Sequence, residues 1–180
     1  VLGAAGGVGS TAVELGKALG ATVIAAASSD DKLALCTELG ADHVINYSNE
    51  SLKDRVKELT GGAGVDVVYD PVGGDFSEPA VRSMGWKGRY LVIGFASGPI
   101  PSIPLNLTLL KGCSIVGVFW GRFTMEETKV HLANIDTLWR WFEEGKIKPV
   151  ITDLFPIEEY EGAYAAMMER RAKGKVILTF

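Results

Sequence analysis

The chain has 180 residues, 47% of them hydrophobic and 22% charged, with a formal net charge of -4. That is enough apolar material for one sizeable core, and the charge has the wrong sign for a nucleic-acid surface. No apolar run approaches the roughly 20 residues of a membrane-spanning helix. No positively charged start followed by a long apolar stretch marks a secretory signal. Cys36 and Cys113 stand far apart, and with His43 and His131 they match no recognised zinc spacing. Both cysteines read as small buried hydrophobes of a reducing compartment, so no metal is expected and a cytoplasmic location is.

The first residue is Val1, and only two to four residues precede a cluster of glycines. A buried parallel strand runs about five or six residues. The sequence therefore reads as a piece of a longer protein that begins inside a strand. Apolar residues at helical spacing (Val13, Leu15, Ala18, Leu19) predict a helix over 7–19, ended by Gly20. The continuous apolar run 22–27 predicts a strand covered on both faces. Ser28 or Ser29 then caps a second helix running to 39–40, with Asp30 and Asp31 favourably placed in its first turn.

A third strand is expected at 43–47 and a third helix at 48–59, broken by the glycines of 60–64. A fourth strand at 65–70 is followed by Gly73 and Gly74, a fourth helix covers 76–84, and a fifth strand at 89–93 is followed by Gly94. The loop 97–104 carries Pro99, Pro101 and Pro104, which exclude regular structure. A helical turn at 105–110 and a sixth strand at 114–119 come next. After Arg122 the rhythm changes to a long amphipathic helix over 124–144, whose Val130, Ile135, Leu138, Trp139 and Phe142 read as core. A linker at 145–149, a strand at 150–157, a helix at 158–171 and a last strand at 174–180 complete the chain, with no internal repeat.

Strands alternating with helices imply an α/β fold: a Rossmann-type, doubly wound, six-stranded parallel sheet with a C-terminal strand–helix–strand appendage. The expected division is a dinucleotide-binding domain over 1–145, with its first strand truncated, and a C-terminal segment over 146–180. Glycine loops follow several strands on one side. In such sheets ligands lie outside the carboxyl ends of the strands.

The dinucleotide fingerprint is G-x-G-x-x-G. Its best register here is Ala4-Ala5-Gly6-Gly7-Val8-Gly9, with Ala4 in place of the first glycine. Gly6 lets the backbone approach a diphosphate, and Gly9 lets the helix pack close to the sheet. A phosphate loop of the Gly-Lys-Ser/Thr kind is excluded, because Gly9-Ser10-Thr11 has no lysine. An NAD site carries Asp or Glu about 20 residues on, accepting from the ribose hydroxyls. That window holds Ala26, Ala27 and Ser28. A 2′-phosphate is not repelled there; Ser28 and Ser29 can donate to it and Lys32 can supply charge. This favours NADPH. The competing reading, with Asp30 or Asp31 turned in to hold a ribose, ranks second, since the helix dipole already accounts for Asp31.

Three strings, residues 3–9, 39–47 and 64–74, resemble the zinc-lacking quinone oxidoreductases of the medium-chain dehydrogenase/reductase superfamily. The stretches 94–98 and 119–122 and the ending Gly174-Lys175-Val176 resemble most the quinone oxidoreductase-like branch. The likeness covers essentially the whole chain and corresponds to the family's C-terminal, cofactor-binding portion. It implies that the backbone at Gly7 and Val8 holds the diphosphate. It implies that Ser28, Lys32 and Tyr47 surround the 2′-phosphate, joined by Arg171. Val72-Gly73 and Gly94-Phe95-Ala96 would line the adenosine and ribose, and Phe119-Trp120 would lie near the nicotinamide. A homodimer through strand 114–119 is implied as well, and an apolar edge strand suits such pairing.

The family's N-terminal barrel-like domain has no counterpart here. Strands 150–157 and 175–180, which would pack on it, are expected to be exposed, reordered or swapped. The 180 residues alone are expected to bind NADP weakly and to turn nothing over. The leading reading is the cofactor domain of an NADPH-dependent reductase that transfers hydride to a quinone or another α,β-unsaturated carbonyl, with the protein supplying orientation and electrostatics. No catalytic proton donor is identified. An enoyl-thioester reductase and a non-catalytic NADP-binding sensor or structural protein are the alternatives. A small-molecule electrophile is the expected partner, with neither nucleic acid nor membrane.

Overall fold

The computed structural model describes residues 1–169 and 171–180. Its strands are β1 (Ile24–Ala27), β2 (His43–Asn46), β3 (Val65–Asp70), β4 (Met84–Val92), β5 (Ser114–Gly117), β6 (Ile151–Pro156) and β7 (Lys175–Thr179). The helices are α1 (Gly7–Ala18), α2 (Asp30–Glu38), α3 (Leu52–Leu59), α4 (Ser77–Arg82), α5 (Asn106–Lys111), α6 (Trp120–Glu126), α7 (Thr128–Glu143) and α8 (Tyr160–Met168). All strand pairings are parallel: β1 with β2, β3 with β4, β4 with β5, and β6 with β7. The architecture is therefore α/β with parallel strands, as the alternating pattern requires.

The expected six-stranded sheet is divided into a two-stranded and a three-stranded piece. Residues 1–4 lie between them. Leu2 N–H donates to the Tyr69 carbonyl of β3 at 3.0 Å. On the other side, Ala26 N–H donates to the Val1 carbonyl at 2.9 Å and Ala4 N–H to the Ala26 carbonyl at 3.0 Å. So short a segment bonds to both neighbours but makes only one isolated bridge, Leu2 with Ala26. The spatial order is β2, β1, residues 1–4, β3, β4, β5.

The sheet is apolar on both sides because β1 is. Ala25 and Ala27 belong to a cluster with Val13 of α1 and Leu33 and Cys36 of α2. Ala26 belongs to another, with Leu52 and Val56 of α3 and Ala80 and Val81 of α4. Successive strand residues point to opposite faces, so α1 and α2 cover one face and α3 and α4 the other.

Several boundaries differ from the pattern. The fourth helix is shorter than 76–84: a 3-10 turn at Gly74–Phe76 leads into α4, and Met84 already belongs to β4. Met84 is buried in the core, so the chain enters the strand there. The register then jumps from Val65 opposite Met84 to Val67 opposite Arg89. The residues between bulge out, with Lys87 at φ 60 and Trp86 exposed. The sixth strand is β5 only; Phe119 instead caps α6.

The long helix expected over 124–144 is two helices, α6 and α7, broken at Glu127 (φ -119, ψ 42). Its apolar face is not core. No residue of α7 is buried, and Val130, Trp139 and Phe142 are about half exposed or more. An amphipathic stripe shows that a helix has something to cover; within these residues nothing covers this one. The last helix is a 3-10 turn followed by α8, and Arg170, inside the expected span 158–171, lies outside the described residues.

Strands β6 and β7 pair with each other; Ile151 and Leu154 are exposed, and Val176, Ile177 and Leu178 are half-buried. They are also fastened to the glycine turn. Gly174 N–H donates to the Ala5 carbonyl at 2.9 Å, and Lys148 N–H donates to Oε1 of the buried Glu14 at 2.8 Å.

Candidate nucleotide site

Since all strands run parallel, the residues that follow them share one edge. Residues 6–9 follow the first segment, Ser28 follows β1, Tyr47 β2, Val72 and Gly73 β3, residues 94–96 β4, and Phe119 and Trp120 β5. Topology alone thus brings nearly all the candidate residues to the carboxyl edge, where an open parallel sheet binds ligands.

The centre of that edge is the start of α1. Its N-cap is Gly6, no side chain caps it, and its first turn has no acid. The first N–H groups of a helix have no partner inside it and carry the positive end of the dipole. A Cβ on Gly6 would make only ordinary contact, at 3.5 Å from the Gly3 carbonyl oxygen, and Val8 is exposed. Gly9 differs: a Cβ there would lie 2.2 Å from the Gly3 oxygen and 2.7 Å from the Ala4 Cα. Only glycine lets α1 approach the preceding segment this closely. The first position leaves room for a diphosphate, and the second presses helix on strand.

At the adenosine end, Lys32 Nζ donates to Ser28 Oγ at 3.3 Å. Tyr47 stacks obliquely on Phe76, with ring centroids 4.3 Å apart. Both acids of the α2 first turn are exposed, and each already has a partner. Asp30 accepts from Asn46 Nδ2 at 2.7 Å. Asp31 accepts from Ser29 Oγ and lies 2.6 Å from Lys173 Nζ. The Lys173 ammonium first, then the Ser29 hydroxyl, hold the Asp31 carboxyl down at about 2. Arg171 is exposed and paired with Glu169 at 2.6 Å. The basic residue seated on α2 is Lys173, which the sequence reading did not single out.

The adenosine-side loops are stitched together. Ala96 N–H donates to the Pro71 carbonyl at 3.0 Å and Ser97 N–H to the Val72 carbonyl at 2.9 Å. Both rest on Asp70, which is 2% exposed. Its Oδ1 accepts from Val72 N–H at 2.7 Å and Gly73 N–H at 2.8 Å, and its Oδ2 from Ser77 Oγ at 3.0 Å and from the Tyr90 hydroxyl. Burial, and then the bond to Asp70, push the Tyr90 phenol well above its usual range. Close by, the buried Ser97 Oγ has no partner among the described residues. This orphan hydroxyl, the uncapped helix start and the room at Gly6 all fit a polar, phosphate-bearing cofactor.

Phe119 and Trp120 are mostly exposed, and Trp120 meets the His131 ring edge-on at 5.8 Å. An apolar groove of about 630 Å³, lined by Leu15, Ile45, Leu52, Val56 and Val68, lies away from the site. Of the candidate residues only Val8 reaches it. Glu14 and Lys173 were missed because each meets a partner distant in sequence, and Asp70 because its local bonds to Val72 and Gly73 are joined by one to Tyr90, twenty residues on. A lone strand-end acid, a helix glutamate and a terminal lysine carry no spacing signal.

The arrangement is that of a nucleotide-binding α/β protein of the dehydrogenase kind. Residues 7–136 match the zinc-binding dehydrogenase family model. The chain is 41% identical over 180 residues to quinone oxidoreductase-like protein 2 of Bos taurus, covering 99% of this chain and 52% of that one. It is 35% identical to a quinone oxidoreductase of Pseudomonas aeruginosa, over 97% of this chain and 54% of that one. The structure of Escherichia coli quinone oxidoreductase complexed with NADPH superposes with a TM-score of 0.87 at 31% identity, covering 99% of this chain and 56% of that one. The chain thus spans about half the length of the relatives it matches. It belongs to the quinone oxidoreductase-like branch of the medium-chain dehydrogenase/reductase superfamily and corresponds to the C-terminal, nucleotide-binding portion.

Proposed function

We propose that this chain is the cofactor-binding half of an NADPH-dependent oxidoreductase that reduces a quinone or another α,β-unsaturated carbonyl. The observation that carries the choice of cofactor is the acid-free end of β1: Ser28 and Lys32 face that edge, and both nearby carboxylates are engaged elsewhere. The backbone of residues 6–9 would hold the diphosphate; Ser28, Lys32, Tyr47 and Arg171 the 2′-phosphate; Val72, Gly73 and 94–96 the adenosine and ribose; Phe119 and Trp120 the nicotinamide side. When bound, the cofactor supplies the hydride. This chain's part is to orient it and to place positive charge against its phosphates.

The same proposal covers the architecture. Residues 1–4 would complete one six-stranded doubly wound sheet within a unit of residues 1–145, and 146–180 would pack on a substrate domain. A second copy of the protein would pair along β5, which among the described residues pairs with β4 alone and is exposed throughout.

The test is a titration of the full-length protein with NADPH and NADH, followed by turnover with quinones, enals and enoyl thioesters. Tighter NADPH binding and quinone or enone reduction are expected. Preference for NADH, or reduction of enoyl thioesters alone, defeats the reading. The isolated 180 residues serve as a comparison and are expected to be inactive.

A further inference from the structure

We propose that Phe76 is a positioning residue for cofactor choice: its ring aims Tyr47 at the site of the 2′-phosphate and thereby favours NADPH over NADH. The inference rests on the NADPH reading above and deepens it, since it names what holds one of the phosphate's partners in place.

Tyr47 follows β2 in the two-stranded piece of the sheet, and Phe76 follows β3 in the three-stranded piece. Their ring centroids are 4.3 Å apart at an interplanar angle of 44°. The contact ties the two pieces together at the carboxyl edge. Backbone bonds fix where Tyr47 starts. Its N–H donates to the Ala27 carbonyl at 3.1 Å, and the next residue, Ser48, donates its Oγ to the Ser28 carbonyl at 2.9 Å. Those bonds leave the side-chain torsions of the tyrosine undetermined. A half-buried tyrosine at a sheet edge has several staggered positions to choose from. A second ring packed against it selects one.

Phe76 is itself well held. It closes the 3-10 turn that begins at Gly74. Bonds to the buried Asp70 carboxylate bracket that turn: Gly73 N–H donates to Oδ1 at 2.8 Å before it, and Ser77 Oγ donates to Oδ2 at 3.0 Å after it. Both rings also rest against the core cluster that contains Leu52, Ala80 and Val81. The direction of Tyr47 is therefore set from β3, on the far side of β1 and residues 1–4. A phenol hydroxyl donates one bond, and a bond to a phosphate oxygen depends on distance and angle. A ring swung to another rotamer loses it. NADH carries a hydroxyl in place of the 2′-phosphate, so its affinity depends far less on where the ring points.

The experiment measures dissociation constants for NADPH and for NADH on the full-length protein, as wild type, Phe76→Leu, Phe76→Met, Phe76→Tyr, Tyr47→Phe and the Phe76→Leu/Tyr47→Phe double variant. Phe76→Leu is expected to shift the NADPH-to-NADH preference about fivefold toward NADH, through weaker NADPH binding, because a charge-assisted bond is lost in most of the population. Phe76→Tyr keeps the ring and the wild-type ratio. Tyr47→Phe shifts the ratio in the same direction, and in its presence Phe76→Leu adds nothing further. Phe76→Met carries the same expectation as Phe76→Leu and decides the matter should Phe76→Leu fail to fold. A Phe76→Leu protein that binds both cofactors more weakly by the same factor, or neither, overturns the proposal and leaves the ring a packing residue or part of an adenine wall. Tyr47→Phe with an unchanged ratio overturns it too, because Phe76 then has nothing to aim; the NADPH reading survives that result. A wild-type protein that prefers NADH defeats the NADPH reading itself, and the proposal with it.

Discussion

Replacing Asp70 with alanine is expected to destabilise the protein by about 4 kcal/mol. The carboxylate is buried at the end of β3 and takes four donors: Val72 N–H, Gly73 N–H, Ser77 Oγ and the Tyr90 hydroxyl. Alanine removes all four acceptor positions. A buried N–H left unpaired costs roughly 1–3 kcal/mol, and two are left here; the hydroxyls can rotate and lose less, which brings the total to about 4 kcal/mol. Against a typical stability of about 5–15 kcal/mol, that removes much of the margin. Asp70→Asn keeps one oxygen for the two amides and offers its NH₂ to hydroxyls that can accept, so it should cost only about 1–2 kcal/mol. Urea unfolding followed by circular dichroism measures both. An alanine variant within about 1 kcal/mol of wild type would refute the accounting.

The same network has a pH signature. Burial and Asp70 raise the Tyr90 phenol, so the fold favours its protonated form. That contribution is fully present below the unfolded phenol's value of about 10 and is lost as pH rises above it. Tyr90→Phe should flatten the alkaline fall in stability; equal slopes in the two proteins would exclude the mechanism.

Two further predictions concern packing around the site. Gly9→Ala would set a Cβ 2.2 Å from a backbone oxygen; overpacking of this kind costs about 1–3 kcal/mol, and here the backbone itself must shift. A lower Tm together with weaker NADPH binding is expected, and an unchanged Tm would show that α1 does not press on residues 3–4. Cys36, on the inward face of α2, is fully buried, and burial pushes its thiol up to about 11. It should resist iodoacetamide at neutral pH in the native protein and label on unfolding; prompt native labelling would mean that α2 opens readily from β1.

Much of the site is legible in the order of residues. The uncapped small-residue turn 6–9, the run 22–27 with no acid at its end, and the glycines past β3 and β4 are local signals. Each reflects a local requirement: close backbone approach, burial on both faces, or a turn after a strand. With parallel topology they put the candidate residues on one edge. What the sequence could not carry depends on contacts between distant segments. The face of α7 has the periodicity of a core helix, yet it is exposed, because a stripe records the need for a partner and not its presence. Nothing in a single terminal lysine says that it will reach Asp31, and nothing in Asp70 says that it will gather two loops and a tyrosine. Local pattern determined the glycine turn and the acid-free end of β1; only the tertiary structure decided which charges meet beside them, since charge pairing depends on distance in space, which sequence separation does not report.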